Sequence, residues 1–346
     1  MISMKCRSSV FAIILIAIPR FIFAAEMLPS TGIYTRRMEA VDQVMCSIMK
    51  QTGYKAATIA VAYRGKFWMI RGYGWQDKSQ TKPINPETRM RIASIDKCFG
   101  NACAKELIQQ GILKANTAVF PLLGVQPYGS IADARVNQIT IQNVIDHKLG
   151  WSAENDGFSP KSSEAVRQLM AKSGQKTEPT MRNIIAYMLT RPLDYDPGTK
   201  EVYSNFGSVV LRRAVEKAAG MPYYDFLVGS ICKRAGITNI ALTLPKESRD
   251  ESEIWYEPES PAYFDCFAIS TVELCRFLDK YWISGDSRNS TTGYSYMFYG
   301  SLPGTTAIAC QRTDGINFAV LFNQRDKIKH EEVADLINKA IDRVSR

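Results

Sequence analysis

The sequence predicts an α+β protein in which one antiparallel sheet is flanked by helices and interrupted by an inserted all-helical lobe. Two β-rich segments lie far apart in the chain, at residues 58–72 and 305–323, and the long stretch between them has mainly helical periodicity. The simplest assembly joins both segments in one sheet, as an α/β sandwich. The sheet lobe then comprises about residues 36–93 and 291–346, and the helical lobe about 94–290.

The predicted sheet lobe begins with a helix. Apolar residues recur there at helical spacing: Val41, Val44, Met45, Ile48 and Met49. The runs 58–63 and 67–72 that follow are apolar and β-rich, and Arg64-Gly65-Lys66 between them predicts a hairpin. This region therefore supplies one helix and two paired strands.

The helical lobe and the return to the sheet follow in chain order. Residues 209–219 have helical periodicity, and Gly220 is the predicted stop. Strands resume in 305–323, where Thr313-Asp314-Gly315 is a hairpin turn signal. A last helix is predicted from apolar residues that share one face: Val333, Leu336, Ile337, Ala340 and Ile341.

The composition indicates a globular protein and argues against several kinds of binding site. Of the 346 residues, 46% are hydrophobic and 22% are charged, as in ordinary globular proteins. The net charge of +9 comes from scattered basic residues without a basic-aromatic stripe, so no nucleic-acid partner is predicted. The eight cysteines include no C-x-x-C spacing, which argues against zinc and thioredoxin-like sites. No metal or cofactor is predicted, and most cysteines are interpreted as small buried hydrophobes.

Residues 1–24 are typical of a secretory signal peptide. Basic residues precede an apolar run from Val10 to Ile18, and Ala24-Ala25 offers a small-residue cleavage site. The run is too short to span a bilayer. Because Pro19-Arg20 interrupts the apolar region, an uncleaved anchor stays as the alternative. The signal predicts a secreted or cell-envelope protein, periplasmic in a bacterium, in which residues 25–346 form a single domain without a stable membrane span.

One Ser-x-x-Lys tetrad is distinguished by its context. The pattern occurs at five serines: Ser47, Ser79, Ser94, Ser173 and Ser230. Only Ser94 follows a turn-rich stretch and opens a run with helical periodicity, so we expect it at a helix start, among free backbone N–H groups. Lys97, three residues on, then shares a helix face with Ser94. Tyr203-Ser204-Asn205, much later in the chain, adds a phenol and an amide to this hydroxyl and amine.

These segments resemble the active-site motifs of a known family. Arg91-Ile92-Ala93-Ser94-Ile95-Asp96-Lys97 and Tyr203-Ser204-Asn205-Phe206-Gly207 are similar to the first and second motifs of the serine β-lactamase-related family. That family holds class C β-lactamases, D-alanyl-D-alanine carboxypeptidases and related esterases. Further segments fit in order: Gly72-Tyr73-Gly74-Trp75, Asp196-Pro197-Gly198-Thr199 and Leu302-Pro303-Gly304. The resemblance implies a β-lactamase/transpeptidase-like fold with its site between the two lobes.

The motif residues can carry out acyl transfer without histidine, of which the chain has only two. Ser94 is the candidate nucleophile, and a serine hydroxyl needs an adjacent base. Lys97 can be that base, and Tyr203 can relay a proton between Ser94 and the leaving group. Asn205 can hold Lys97 and a substrate amide by hydrogen bonds. The alternative for Ser94 is a helix N-cap with Lys97 on the surface.

The third motif departs from the family, where it is Lys-Thr-Gly or His-x-Gly. Counting back from Gly304 places Phe298-Tyr299-Gly300 at those positions. The resemblance implies that the backbone N–H of Ser301, together with that of Ser94, binds the oxyanion. Phe298 replaces the usual anchor for a substrate carboxylate, which favours neutral esters or amides over β-lactams and carboxypeptidase substrates.

One histidine lies in a family-like segment. Asp146-His147-Lys148-Leu149-Gly150 resembles the His-Thr-Ser-Gly segment of the family, altered after the histidine. The resemblance implies a structural role, so we expect His147 to be a hydrogen-bonded core residue. The alternative is a serine–histidine triad, which requires the histidine to lie beside Ser94.

Two functions from different classes remain. The first is a serine hydrolase that forms a covalent acyl-enzyme with a small-molecule or peptide substrate. The second is a catalytically weak or inactive relative that binds cell-envelope material or a protein partner. The intact catalytic set favours the first, whereas Phe298 and the unusual Asp96 favour the second.

Overall fold

The structure, a computed structural model, describes residues 28–172, 174, 179–242, 267–288, 296–325 and 327–343. The predicted signal segment 1–24 and Ser173 lie outside the described residues. Nine strands are described: β1 (Ser30–Tyr34), β2 (Ala56–Tyr63), β3 (Lys66–Gly74), β4 (Met90–Arg91), β5 (Ile240–Leu242), β6 (Phe267–Ile269), β7 (Tyr296–Leu302), β8 (Thr305–Gln311) and β9 (Ile316–Phe322).

Helices occupy most of the remaining described chain. They are α1 (Glu39–Thr52), α2 (Asp96–Gln109), α3 (Val119–Leu123), α4 (Ile141–Ile145), α5 (Pro160–Lys172), α6 (Met181–Met188), α7 (Asn205–Ala219), α8 (Tyr223–Phe226), α9 (Lys233–Ala235), α10 (Thr271–Lys280) and α11 (His330–Asp342). Short 3₁₀ turns cover Arg36–Met38, Ala93–Ile95, Ala134–Gln138 and Ala153–Asn155, and a π-helix covers Leu227–Cys232. Within the described ranges, no helix combines the length and apolar character needed to cross a membrane.

The main sheet joins the two ends of the chain, as the sequence predicts. Its strand order is β1-β3-β2-β9-β8-β7, and every neighbouring pair is antiparallel. The junction is the pairing of β2 with β9, which runs from Ala57 opposite Phe322 to Tyr63 opposite Ile316. Arg64 and Gly65 form the predicted hairpin turn between β2 and β3, both with positive φ, as a tight two-residue turn requires.

Two hydrophobic cores cover the two faces of this sheet. Alternate residues of β2 point to opposite faces, so Ile59 and Val61 join the core beneath α1 and α11, while Ala60 and Ala62 join the larger core on the other face. The larger core contains side chains of α2, α7 and α10. Five buried cysteines, Cys98, Cys103, Cys232, Cys275 and Cys310, carry free thiols in these interiors, as small hydrophobes do.

The middle of the chain differs from the all-helical lobe that the sequence predicts. A second sheet has the order β4-β6-β5, in which the central strand β6 pairs with both β4 and β5. Strands β5 and β6 have only three residues each, which is too short for a period-two pattern to be recognised. Helix α10, predicted within the helical lobe, packs on the main sheet against β9 and β2. Its apolar residues, such as Leu274 and Phe277, are buried there, so the chain returns to the sheet before residue 291.

Candidate active site

Ser94 lies in the turn that begins a helix. The 3₁₀ turn Ala93–Ile95 follows β4 and leads directly into α2 at Asp96. Ala93 has a φ of 48°, a left-handed conformation that is uncommon for a residue other than glycine. Such backbone strain is often found at functional sites. The half-buried Ser94 is therefore presented on a bent and constrained piece of backbone.

Two side chains converge on the Ser94 hydroxyl. Lys97 Nζ donates a hydrogen bond to Ser94 Oγ at 3.4 Å. The Tyr203 hydroxyl donates to the same Oγ at 2.7 Å. Lys97 Nζ also lies 5.0 Å from the centroid of the Tyr203 ring. Lys97 is 7% exposed and Tyr203 is 46% exposed, so an amine inside the protein and a phenol open to solvent meet at one hydroxyl.

Asn205 occupies the first position of α7, two residues after Tyr203. The preceding Ser204 is the N-cap, and its hydroxyl accepts a hydrogen bond from Gly207 N–H at 2.8 Å. This cap fixes where the helix begins and therefore where Asn205 lies. The half-buried Asn205 side chain makes no hydrogen bond to Lys97 within the described residues, so that predicted contact is not formed here.

A buried ion pair connects the helices that carry the two motifs. Arg212 on α7 contacts Asp96 on α2 at 2.6 Å, and both side chains are only 4% exposed. Asp96 is adjacent to Lys97 in sequence, so its unusual identity has a structural explanation. Removing one partner of such a pair leaves an uncompensated buried charge. The pair therefore holds the Ser94–Lys97 turn and the Tyr203–Asn205 segment at a fixed separation.

Asp156 is a site residue that no local sequence signal reveals. Its Oδ2 accepts a hydrogen bond from the Ser204 hydroxyl at 2.5 Å, and its Oδ1 accepts one from Phe158 N–H at 3.0 Å. Burial raises the pKa of this carboxyl, while these hydrogen bonds and the charge of Lys97 oppose that rise. Asp156 lies in a polar stretch without regular periodicity, and its role appears only when the chain brings it to the α7 N-terminus.

Neither histidine is a base for Ser94. In the part of the chain that the structure describes, His147 Nδ1 accepts the Ser204 N–H at 3.2 Å, and no hydrogen bond joins it to Ser94. His330, at the beginning of α11, contacts the Gly300 carbonyl through Nε2 at 3.1 Å. The expectation of a hydrogen-bonded His147 agrees with this arrangement, and the triad geometry is not formed.

Strand β7 passes directly beside the Ser94 turn. A Cβ atom on Gly300 would lie 2.2 Å from the Ile92 carbonyl oxygen and 3.1 Å from Ala93 Cβ, so only glycine fits at this crossing. Ser301, the next residue, is exposed. This close approach brings the Ser301 backbone to the neighbourhood in which the resemblance requires an oxyanion donor.

The hairpin after β7 is held to the strand that precedes Ser94. Gly304 has a φ of 70° and shares the two-residue turn between β7 and β8 with Pro303. The buried Arg91 guanidinium donates a hydrogen bond to the Pro303 carbonyl oxygen. This contact fixes the end of β7 relative to β4 and to the turn that carries Ser94.

Phe298 lies on the site face of β7. Residues two apart on a strand share a face, so Phe298 and Gly300 point to the same side. The half-buried Phe298 ring packs against the larger hydrophobic core on that side. The neighbouring Tyr299 packs against the opposite core, and its ring centroid lies 5.4 Å from that of His330. An aromatic ring thus occupies the strand position at which the resemblance places a cation or imidazole.

The chain is similar to proteins of known type. Residues 41–309 match the family model described as Beta-lactamase. Over 199 residues the chain is 26% identical to the N-acetylmuramyl-L-alanine amidase of Bacillus subtilis (strain 168), a match that covers 54% of this chain and 42% of the amidase. The matched region spans less than half the length of the curated relatives found first.

Solved structures share the fold at low sequence identity. The β-lactamase/D-alanine carboxypeptidase from Yersinia pestis complexed with citrate has a TM-score of 0.68 and 16% identity, covering 90% of this chain and 99% of that chain. The D-amino acid amidase from Ochrobactrum anthropi SV3 complexed with L-phenylalanine has a TM-score of 0.66 and 16% identity, covering 90% and 100%. These likenesses confirm the predicted β-lactamase/transpeptidase-like fold. Since the family model also covers most of the chain, the chain belongs to the β-lactamase family, whose members include serine β-lactamases, peptidases and amidases.

Proposed function

We propose that the protein is a serine hydrolase that acts on ester or amide substrates through a covalent acyl-enzyme. The observation that carries this proposal is the convergence of Tyr203 Oη and Lys97 Nζ on Ser94 Oγ, at 2.7 and 3.4 Å. A serine hydroxyl becomes a useful nucleophile when a group beside it can accept its proton. The short contact to Tyr203 and the nearby amine supply that path.

In the acylation step, Ser94 Oγ attacks the substrate carbonyl carbon while its proton moves to the Tyr203–Lys97 pair. The negative charge on the carbonyl oxygen is bound by the backbone N–H groups of Ser94 and Ser301. The tetrahedral intermediate collapses as the leaving alcohol or amine takes a proton from Tyr203. Water then attacks the acyl-enzyme, gives its proton to the same pair, and releases a carboxylic acid and free Ser94.

The substrate preference follows from β7. Phe298 brings an aromatic ring to the site face of the strand, where a carboxylate-bearing substrate would need a cation. Neutral acyl groups lose nothing from that replacement, and an apolar group can pack on the ring. We therefore propose short neutral esters or amides as substrates, with poor turnover of β-lactams. The N-terminal segment supports action outside the cytoplasm or in the cell envelope.

The alternative function is a weak or inactive relative that binds cell-envelope material or a protein partner. Phe298 is the observation that favours it, because the site lacks the cation or imidazole that binds the substrate carboxylate in the family. Asp96 no longer favours it, since the ion pair with Arg212 accounts for that residue.

Covalent labelling distinguishes the two functions. Intact-mass spectrometry after exposure to a fluorophosphonate is expected to find a single adduct, which peptide mapping assigns to Ser94. The adduct should disappear in Ser94→Ala and persist in Ser47→Ala, a matched control because Ser47 and Lys50 form the same spacing on α1 and are both exposed. Absence of any wild-type adduct, or an adduct that survives in Ser94→Ala, would contradict the proposed function.

A further inference from the structure

His147 contacts the backbone on both sides of Tyr203. Its carbonyl oxygen accepts the N–H of Val202 at 2.8 Å, and its ring Nδ1 accepts the N–H of Ser204 at 3.2 Å. Its ring centroid lies 5.1 Å from that of Tyr203. His147 has a φ of 54°, so it adopts the left-handed conformation that places both acceptors toward the same segment. One residue therefore fixes the three residues 202–204.

These contacts determine the protonation state of the imidazole. An Nδ1 atom that accepts an N–H has no proton of its own, so the neutral ring carries its proton on Nε2. Protonation of Nδ1 would turn the acceptor into a donor facing the Ser204 N–H. The hydrogen bond would be lost, and a second positive charge would appear near Lys97.

We propose that His147 is a positioning residue for the proton-transfer step, which its neutral ring supports by holding the Tyr203 hydroxyl against Ser94. The proposal rests on the proposed function of Ser94 and adds to it a pH dependence that belongs to His147 and is separate from the titration of the motif residues. Protonated His147 loses its hydrogen bond to the Ser204 N–H while the backbone contact with Val202 remains, so Tyr203 is held less firmly against Ser94 and acylation slows in acid.

The surroundings of His147 favour its neutral form. Burial lowers the pKa of the imidazole below its ordinary value of 6.5, and the charge of Lys97 on α2 lowers it further. Glu201, before the held segment, and Asp146, at the end of α4, oppose this shift. A histidine whose pKa is depressed by folding contributes stability at pH above 6.5, and this contribution is lost as the pH falls through the folded-state pKa.

The test compares the pH dependence of Ser94 labelling by a fluorophosphonate in four proteins. The wild-type rate should fall below pH 6.5 with an inflection at the pKa of His147. His147→Asn should lose this inflection, because Asn Oδ1 can accept the same N–H, tolerates a left-handed φ and does not titrate. His147→Ala should label about ten- to hundredfold more slowly even at pH 8, since a small misplacement of a reacting group has an effect of that size. His330→Asn, which changes the other histidine, should retain the inflection.

Nuclear magnetic resonance can detect the effect of His147 on Tyr203 even if Ser94 does not react. In a tyrosine-¹³Cζ sample, the resonance assigned through Tyr203→Phe should shift with the titration of His147 and stay constant in His147→Asn. The proposal would be overturned if the acid inflection of the labelling rate persisted in His147→Asn. It would also be overturned if the Tyr203 chemical shift did not change as wild-type His147 titrates. If Ser94 were never labelled, the proposed function would fail, while the resonance would still decide whether His147 positions Tyr203.

Discussion

The two walls of the candidate site differ in what they keep of the family pattern. The helical wall, residues 94–97 with α2 and residues 203–205 with α7, has its serine hydroxyl, amine and phenol in contact. The strand wall, β7 with the Pro303-Gly304 turn, keeps the glycine that allows close approach but has Phe298 in place of a cation. The helical wall therefore keeps the family pattern more fully than the strand wall does.

The largest effect is expected from substitutions of Lys97 and Tyr203, the two residues of the helical wall that contact Ser94 Oγ. Lys97→Ala and Tyr203→Phe should each lower kcat for a short neutral ester by about two to four orders of magnitude, the usual size of general acid–base contributions. The double variant should be little worse than the worse single variant, because residues that act as one unit are not additive. Stopped-flow or steady-state ester hydrolysis measures this, and losses that simply multiply would argue that the two residues do not share a step.

A somewhat smaller effect is expected from breaking the Asp96–Arg212 ion pair, which joins α2 to α7 in the helical wall. Asp96→Asn removes the carboxylate that pairs with the buried Arg212, which should lower the free energy of unfolding by about 3–5 kcal/mol. Urea denaturation at pH 7 measures the change. The matched control is Asp335→Asn, which breaks an exposed pair with Lys339 on α11 and should change stability by about 1 kcal/mol or less. Equal effects of the two substitutions would show that the Asp96–Arg212 pair has no special role.

The smallest of these effects is expected at the strand wall, where selectivity should change and reaction chemistry should not. Phe298→Lys should raise the ratio of kcat/KM for a carboxylate-bearing ester to that for a matched neutral ester by about one to two orders of magnitude. Charge-assisted hydrogen bonds contribute about 1.5–3 kcal/mol, which corresponds to this range.

The control for this comparison is Met297→Lys, which adds the same charge one residue away. Met297 is 45% exposed and lies on the opposite face of β7, so the ratio should stay at its wild-type value. An unchanged ratio in Phe298→Lys, or efficient wild-type hydrolysis of penicillins or cephalosporins, would refute the proposed role of Phe298.

The parts of the molecule with regular periodicity or ordered motifs could be predicted from the sequence. The strands on either side of Arg64-Gly65 are apolar, β-rich runs long enough to be recognised, and their pairing with the C-terminal strands followed from the need to complete one sheet. Ser94 and Lys97 could be placed together because a helix brings residues three apart onto one face.

Contacts between distant residues without a motif could not be predicted. Asp96 looked anomalous because its partner Arg212 lies on another helix, and nothing local indicates that α2 and α7 pack together there. Asp156 and His330 likewise acquire partners only through tertiary structure. The three-residue strands β5 and β6 are stabilised by pairing with each other and by the pairing of β6 with β4, and not by any propensity visible in so short a run.

The pairing of β2 with β9 has a consequence for the order in which the protein folds during its synthesis on the ribosome. Ala56 N–H donates to Asn323 Oδ1 across a sequence separation of 267 residues. Because β8 and β7 attach beyond β9, the strand wall cannot reach Ser94 until the last strands have left the exit tunnel. Contacts of such long range close late and slowly. The turn that carries Ser94 is therefore made early but remains without its strand wall until β7, β8 and β9 have been synthesised.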